Sequence, residues 1–177
     1  MLSTLKRLSR YLVLAVLFFS CPSYQGYDMF GHSAGGQVLH RLTLFHPQSK
    51  ADRLLAGNSG WYTVPTFSDT FPYGLENSTA TAEQTVKALQ ANLVVFLGEL
   101  DDETETRGDL VRTPEVDVQG ISRFQRGQYF FRKAMETAQQ LNAKFNWQLK
   151  VVPNVGHDVQ RMSEAAAEYL YSDARSR

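Results

Sequence analysis

The sequence predicts an α/β fold, a parallel sheet of about four strands with flanking helices, and three observations carry that expectation. Helix-like and strand-like segments alternate along the 177-residue chain, the pattern that lays crossover helices on a parallel sheet. The run Asn92–Gly98 (Asn-Leu-Val-Val-Phe-Leu-Gly) is continuously apolar, as expected of a strand covered on both faces. Two Ser/Thr-x-x-Gln boxes, Thr81–Gln84 and Ser122–Gln125, mark helix starts.

Composition narrows the class further. Hydrophobic residues make up 43% and charged residues 20%, values of a globular chain long enough for one domain and too short for two full ones. Lys+Arg and Asp+Glu are both 18, so no basic surplus points to nucleic acid. The single cysteine, Cys21, excludes an intrachain disulfide framework and a multi-thiolate metal site. The four histidines form no His-x-x-x-His pair on a helix, so no metal site is expected.

Residues 1–24 stand apart from the rest. Lys6, Arg7 and Arg10 precede the apolar run Tyr11–Phe19 and then Ser20-Cys21-Pro22, the layout of a secretory signal peptide. The run is too short to span a bilayer as a helix, which takes about 20 residues. The segment reads either as a leader, which makes the protein secreted or periplasmic, or as leader-like sequence from a misplaced start, which leaves it cytoplasmic. Any membrane contact is expected only through this segment. The domain proper is expected over 25–177.

Gln25–Phe30 is a short strand candidate. Gln37–Phe45 follows as a helix with Val38, Leu39, Leu42 and Phe45 as its apolar stripe, and Pro47 ends it. Ala51–Asn58 is a second strand. Beyond it lies a loop rich in rings (Trp61, Tyr62, Phe67, Phe71, Tyr73), read both as an anchor to the core and as the wall of an apolar pocket, with Trp61 and Tyr62 the pocket candidates. A helix from the Thr81 box to about Ala91 leads into the Asn92–Gly98 strand. A polar stretch then runs to Gly120. The helix from the Ser122 box reaches about Phe145, Trp147–Val152 is a strand with Trp147, Leu149 and Val151 on one face, and Val159–Leu170 is helical.

Between the first strand and first helix lies Gly31-His32-Ser33-Ala34-Gly35-Gly36, which fits Gly-x-Ser-x-Gly, a strained strand-to-helix turn that projects a serine hydroxyl. Ser33, Asp101 and His157 each follow a predicted strand, at the end of the sheet where open α/β folds place their ligands. In the order Ser…Asp…His they make a nucleophile, an acid and a base. His157 would take the Ser33 proton and Asp101 would orient the imidazole, while the Ala34 amide would donate to a developing oxyanion. Glu99, Asp102 and Glu103 compete with Asp101 for the acid's role. His32, His40 and His46 read as turn filler, helix surface and helix end.

Gly-Tyr-Asp-Met-Phe-Gly-His-Ser-Ala-Gly-Gly-Gln, Ala-Gly-Asn-Ser-Gly-Trp-Tyr-Thr, Phe-Pro-Tyr-Gly-Leu, Leu97–Asp101 and Val155-Gly156-His157 together resemble the α/β-hydrolase superfamily. The similarity is to a bacterial branch of polyhydroxybutyrate depolymerase and feruloyl esterase-like hydrolases, and it covers about residues 25–172. It implies Ser33 as nucleophile, Asp101 as acid, His157 as base, a small or polymeric ester substrate, and no cofactor. Members of this superfamily carry further strands and helices ahead of the elbow, and a loop there supplies a second oxyanion donor. Relative to them the chain is N-terminally truncated, and its elbow strand is expected at a sheet edge rather than the centre. A serine esterase and a non-catalytic or partner-dependent fragment are the two functions this sequence supports. Oligomeric state has no signature in it.

Overall fold

The computed structural model describes residues 26–172. The leader reading of 1–24 lies outside the described residues. Four parallel strands form one sheet in chain order: β1 (Tyr27–His32), β2 (Ala51–Gly57), β3 (Leu93–Gly98) and β4 (Gln148–Val152). Helices α1 (Ala34–Phe45), α2 (Ala82–Leu89), α3 (Pro114–Asp117), α4 (Arg123–Gln140) and α5 (Val159–Tyr171) alternate with them. The predicted parallel α/β sheet is therefore the observed one. Among the described residues β1 pairs only with β2, so the elbow strand stands at an edge, as expected from the resemblance.

The sheet is covered on both faces. Leu54, Ala56, Leu93, Val95 and Leu97 pack with Leu39 and Leu44 of α1, Leu89 of α2 and Phe130 and Ala134 of α4. On the opposite face Leu55, Val94 and Phe96 pack with Met162 and Ala166 of α5. All six residues of β3 are buried, which explains why its sequence shows no alternation. No helix among the described residues is long and apolar enough to cross a membrane.

Local signals hold in detail at one box and in part at the other. Thr81 accepts the Gln84 amide and Gln84 reaches back to the Thr81 amide, a complete reciprocal cap. Ser122 accepts the Gln125 amide, but the Gln125 side chain accepts from Ile121 instead. The helix from Ser122 ends at Gln140, earlier than the predicted Phe145, because Asn142 turns into the left-handed region at φ 48°. Phe145 and Trp147 nonetheless pack against the core.

Two expectations fail on α1 and β4. On α1, Val38 is 63% exposed and the buried face is Gly36, Leu39, His40, Thr43 and Leu44. The helix is rotated because Gly36 fits against β2: a Cβ there would lie 2.5 Å from the Gly57 carbonyl oxygen. His40, expected on the surface, is fully buried, and its ring bridges the Gly36 carbonyl oxygen at 3.1 Å and the Thr63 amide at 3.0 Å. On β4 Leu149 is 36% exposed, on a strand that among the described residues pairs only with β3.

Candidate active site

Strand β1 runs into Ser33, which sits at φ 56° and ψ −115°, a conformation that L-residues other than glycine avoid. What holds it there is the Ser33 amide, donating to the Gly57 carbonyl at the end of β2 (2.8 Å). Ser33 occupies the N-cap position of α1, yet its side chain makes no capping bond, so the hydroxyl is not committed to the helix. Close approach sets the neighbouring glycines. A Cβ on Gly31 would meet the Gly35 backbone at 2.5 Å, whereas a Cβ on Gly35 itself would meet nothing within 4 Å. The second crowded position is thus Gly36, one residue beyond the Gly-x-Ser-x-Gly pattern. Ala34 opens α1, so its amide is one of the first-turn donors that lack an intrahelical acceptor.

The acid and the imidazole meet at the ends of β3 and β4. The Leu100 amide donates to the Val155 carbonyl (2.9 Å), which presses the two loops together, and the Asp101 amide turns back to Gly98 (3.1 Å). Asp101 Oδ2 then lies 2.7 Å from His157 Nδ1, with the carboxylate 1% and the imidazole 9% exposed. The competing carboxylates have other work. Asp102 caps Thr104, Glu99 accepts the Asn154 amide and Glu103 accepts from Gln125.

Three groups that sequence reasoning passed over complete the surroundings. Arg123, 4% exposed in its side chain, donates Nη1 to Asp101 Oδ1 (3.3 Å) and Nη2 to the Gly108 and Asp109 carbonyls. Glu105 accepts the His157 backbone amide at 2.6 Å, and the Arg107 guanidinium beside it holds its carboxyl well below the usual range. His32, read as filler, lays its ring against that of His157 with centroids 4.5 Å apart. Burial, reinforced by the neighbouring His157, pushes His32 down to about 4 and keeps it neutral. One signal for Arg123 was present: a basic residue at the first position of a helix opposes the macrodipole and calls for a buried anion nearby.

The candidates do not all converge. Among the described residues no hydrogen bond joins Ser33 Oγ to His157, whose ring is flanked by His32 and by Gly108. Tyr62 corrects the pocket reading: it is fully buried in the core, stacked on Phe130 at 4.6 Å and against His40 at 5.0 Å. Trp61 remains partly accessible, under the Arg41 guanidinium (4.2 Å) and edge-on to Tyr73. An open groove of about 580 Å³ lies farther along α1, between Val38, Leu42, Phe45 and Phe71, and is lined by none of Ser33, Asp101 or His157.

Solved structures fix the relationship. The chain superposes with a TM-score of 0.77 and 37% identity on poly(aspartic acid) hydrolase-1 from Sphingomonas sp. KT-1, covering 81% of this chain and 54% of that one. LpqC, a poly(3-hydroxybutyrate) depolymerase from Bordetella parapertussis, gives 0.79 and 34%, covering 84% and 50%. The chain is similar in fold and in sequence to these two α/β-hydrolase-type proteins. It spans about half the length of the two structures it matches. No family model and no curated sequence matches it. One of the two neighbours, LpqC, is a polyhydroxybutyrate depolymerase, one of the two kinds of hydrolase, with the feruloyl esterase-like ones, that the sequence motifs resemble.

Proposed function

We propose that this chain carries a serine hydrolase site that cleaves carboxylic esters through an acyl-enzyme. The observation that carries the reading is the buried Asp101–His157 pair at 2.7 Å, placed at the same end of the sheet as the strained Ser33. In the first half-reaction Ser33 Oγ bonds to the acyl carbon and its proton passes to His157 Nε2. The tetrahedral oxyanion takes a hydrogen bond from the Ala34 amide. Its collapse breaks the ester C–O bond, and His157 returns the proton to the leaving alkoxide. Water then repeats the sequence on the acyl-enzyme and releases the acid. Asp101 accepts a hydrogen bond from the His157 Nδ1–H throughout, and Arg123 fixes the second oxygen of that carboxylate. Catalytic hydrogen bonds are often long in a free enzyme and tighten around substrate, which accommodates the separate Ser33 and His157. The two neighbours are named for hydrolysis of polymers, poly(aspartic acid) and poly(3-hydroxybutyrate), so a polymeric acyl substrate is the favoured class.

A fluorophosphonate probe is expected to label the folded protein at Ser33, and Ser33→Ala to abolish both labelling and hydrolysis of a nitrophenyl ester. Folded protein that stays unlabelled would remove the reading. A second reading rests on the coverage of about half of each neighbour and on the single backbone donor identified for the oxyanion. It makes this chain a site that works only with further polypeptide. Loss of one oxyanion donor costs about 3–4 kcal/mol, so this reading predicts labelling that is slow and rises when such polypeptide is supplied.

A further inference from the structure

The Asn58 side chain hydrogen-bonds the backbone shortly before Asp101 and immediately before His157, and comes within 3.5 Å of the ring of His32, the residue that precedes Ser33. Asn58 follows β2 directly and is 1% exposed, with φ 45°, a left-handed conformation that asparagine tolerates better than most residues. In the strand order β1-β2-β3-β4 its position lies between the elbow strand and the acid strand. Its Oδ1 accepts the Gly98 amide at 2.8 Å, three residues before Asp101. Its Nδ2 donates to the Gly156 carbonyl at 3.3 Å, immediately before His157, and lies 3.5 Å from Nε2 of His32, immediately before Ser33. Gly98 makes this junction tight, since a Cβ there would lie 2.5 Å from the Val155 carbonyl oxygen.

We propose that Asn58 is a positioning residue that sets the spacing of the Ser33, Asp101 and His157 loops through one carboxamide. The proposal rests on the serine hydrolase reading for what the spacing serves. Only a carboxamide of this size offers an acceptor to one loop and a donor to the next. Leucine would leave the buried Gly98 amide without its acceptor and take from the Gly156 carbonyl one of its two donors, the Asp158 amide at 2.8 Å being the other, so the tie between the two loops is lost and the Gly98 loop can recover a partner only by moving. Aspartate would keep the Gly98 bond and set a carboxylate against the Gly156 carbonyl oxygen.

The test compares wild type, Asn58→Leu, Asn58→Asp and Leu44→Ala, the last a destabilising core change away from the site. Two readouts are followed: the rate of fluorophosphonate labelling, and the downfield proton resonance of His157 Nδ1–H bonded to Asp101. A displacement of about 1 Å between reacting groups costs on the order of 10²-fold in rate. Asn58→Leu is therefore expected to slow labelling by about that factor and to lose the resonance, while Leu44→Ala keeps both at a comparable melting temperature. Measured relative to wild type at the same pH, Asn58→Asp is expected to regain labelling and resonance as the pH falls and its carboxyl takes up the proton that restores the donor. This variant decides the matter should Asn58→Leu not fold. Wild-type rates and an intact resonance in either Asn58 variant, or equal losses in Leu44→Ala, would overturn the proposal. If wild type is never labelled, the hydrolase reading fails, and the resonance alone still decides the role of Asn58.

Discussion

At Gly35 and Gly36 the same substitution has opposite consequences, although both glycines follow the same serine. Gly35→Ala adds a methyl to open space in a helix, where alanine is favoured over glycine by about 0.5–1 kcal/mol, and a higher melting temperature is expected. Gly36→Ala drives a methyl into the Gly57 carbonyl oxygen (2.5 Å) and Ser59 Oγ (2.6 Å), so a lower melting temperature and loss of Ser33 labelling are expected. The Gly57 oxygen is also the acceptor that pins the Ser33 amide, so the clash reaches the strained turn directly. Ser33, Asp101 and His157 could be proposed from the sequence because each follows a predicted strand. Asn58 could not, because its partners are mainly backbone groups far away in the chain, and Arg123 left only the indirect signal of a basic residue opening a helix.

Helix α4 shows how one element organises the loops over the sheet. Its first two turns carry Arg123 and Arg126, both buried, and each guanidinium collects loop carbonyls. Arg126 donates to Gly120 (2.8 Å), Gly60 (2.6 Å) and Val111 (2.9 Å), and pairs with Asp117 at 2.8 Å. It thereby ties the ring-rich loop after β2 to the polar stretch before α4. Removing a hydrogen-bonded charge from partners that stay buried costs about 1–3 kcal/mol or more. Arg126→Met is expected to lower unfolding stability in urea by at least about 2 kcal/mol and to speed proteolysis between residues 105 and 121. Element types were readable from apolar runs and caps. The rotation of α1 was not, because it is set by the contact of Gly36 with the Gly57 backbone and by the two hydrogen bonds of His40, neither of which follows from hydrophobic spacing.

For the molecule as a whole, a fully buried histidine, His40, and a half-buried one, His32, couple folding to pH. Burial pushes His40 down to about 3 and His32 to about 4, against about 6.5 in an unfolded chain. Below pH 6.5 the unfolded state binds protons that the folded state does not, so stability rises with pH there. The contribution is complete above pH 6.5 and is lost as the pH falls towards 4 for His32 and 3 for His40. Each group gives a slope of up to about 1.4 kcal/mol per pH unit inside its window. Urea titrations between pH 7 and 5 are expected to show this loss before most carboxylates titrate. His40→Gln, which keeps a donor for Gly36 and an acceptor for Thr63, is expected to show a shallower one.

The strands lie in the sheet in the order in which they are made. During synthesis each new strand can therefore add to the edge left by the previous one, with no earlier pair to be opened. Under that vectorial scheme the elbow with Ser33 is laid down first, the end of β2 with Asn58 next, and the acid third. His157 arrives last, on the loop beyond β4. Under the proposed hydrolase reading, more than a hundred residues of elongation therefore separate the making of the Ser33 nucleophile from the arrival of the His157 base that would activate it.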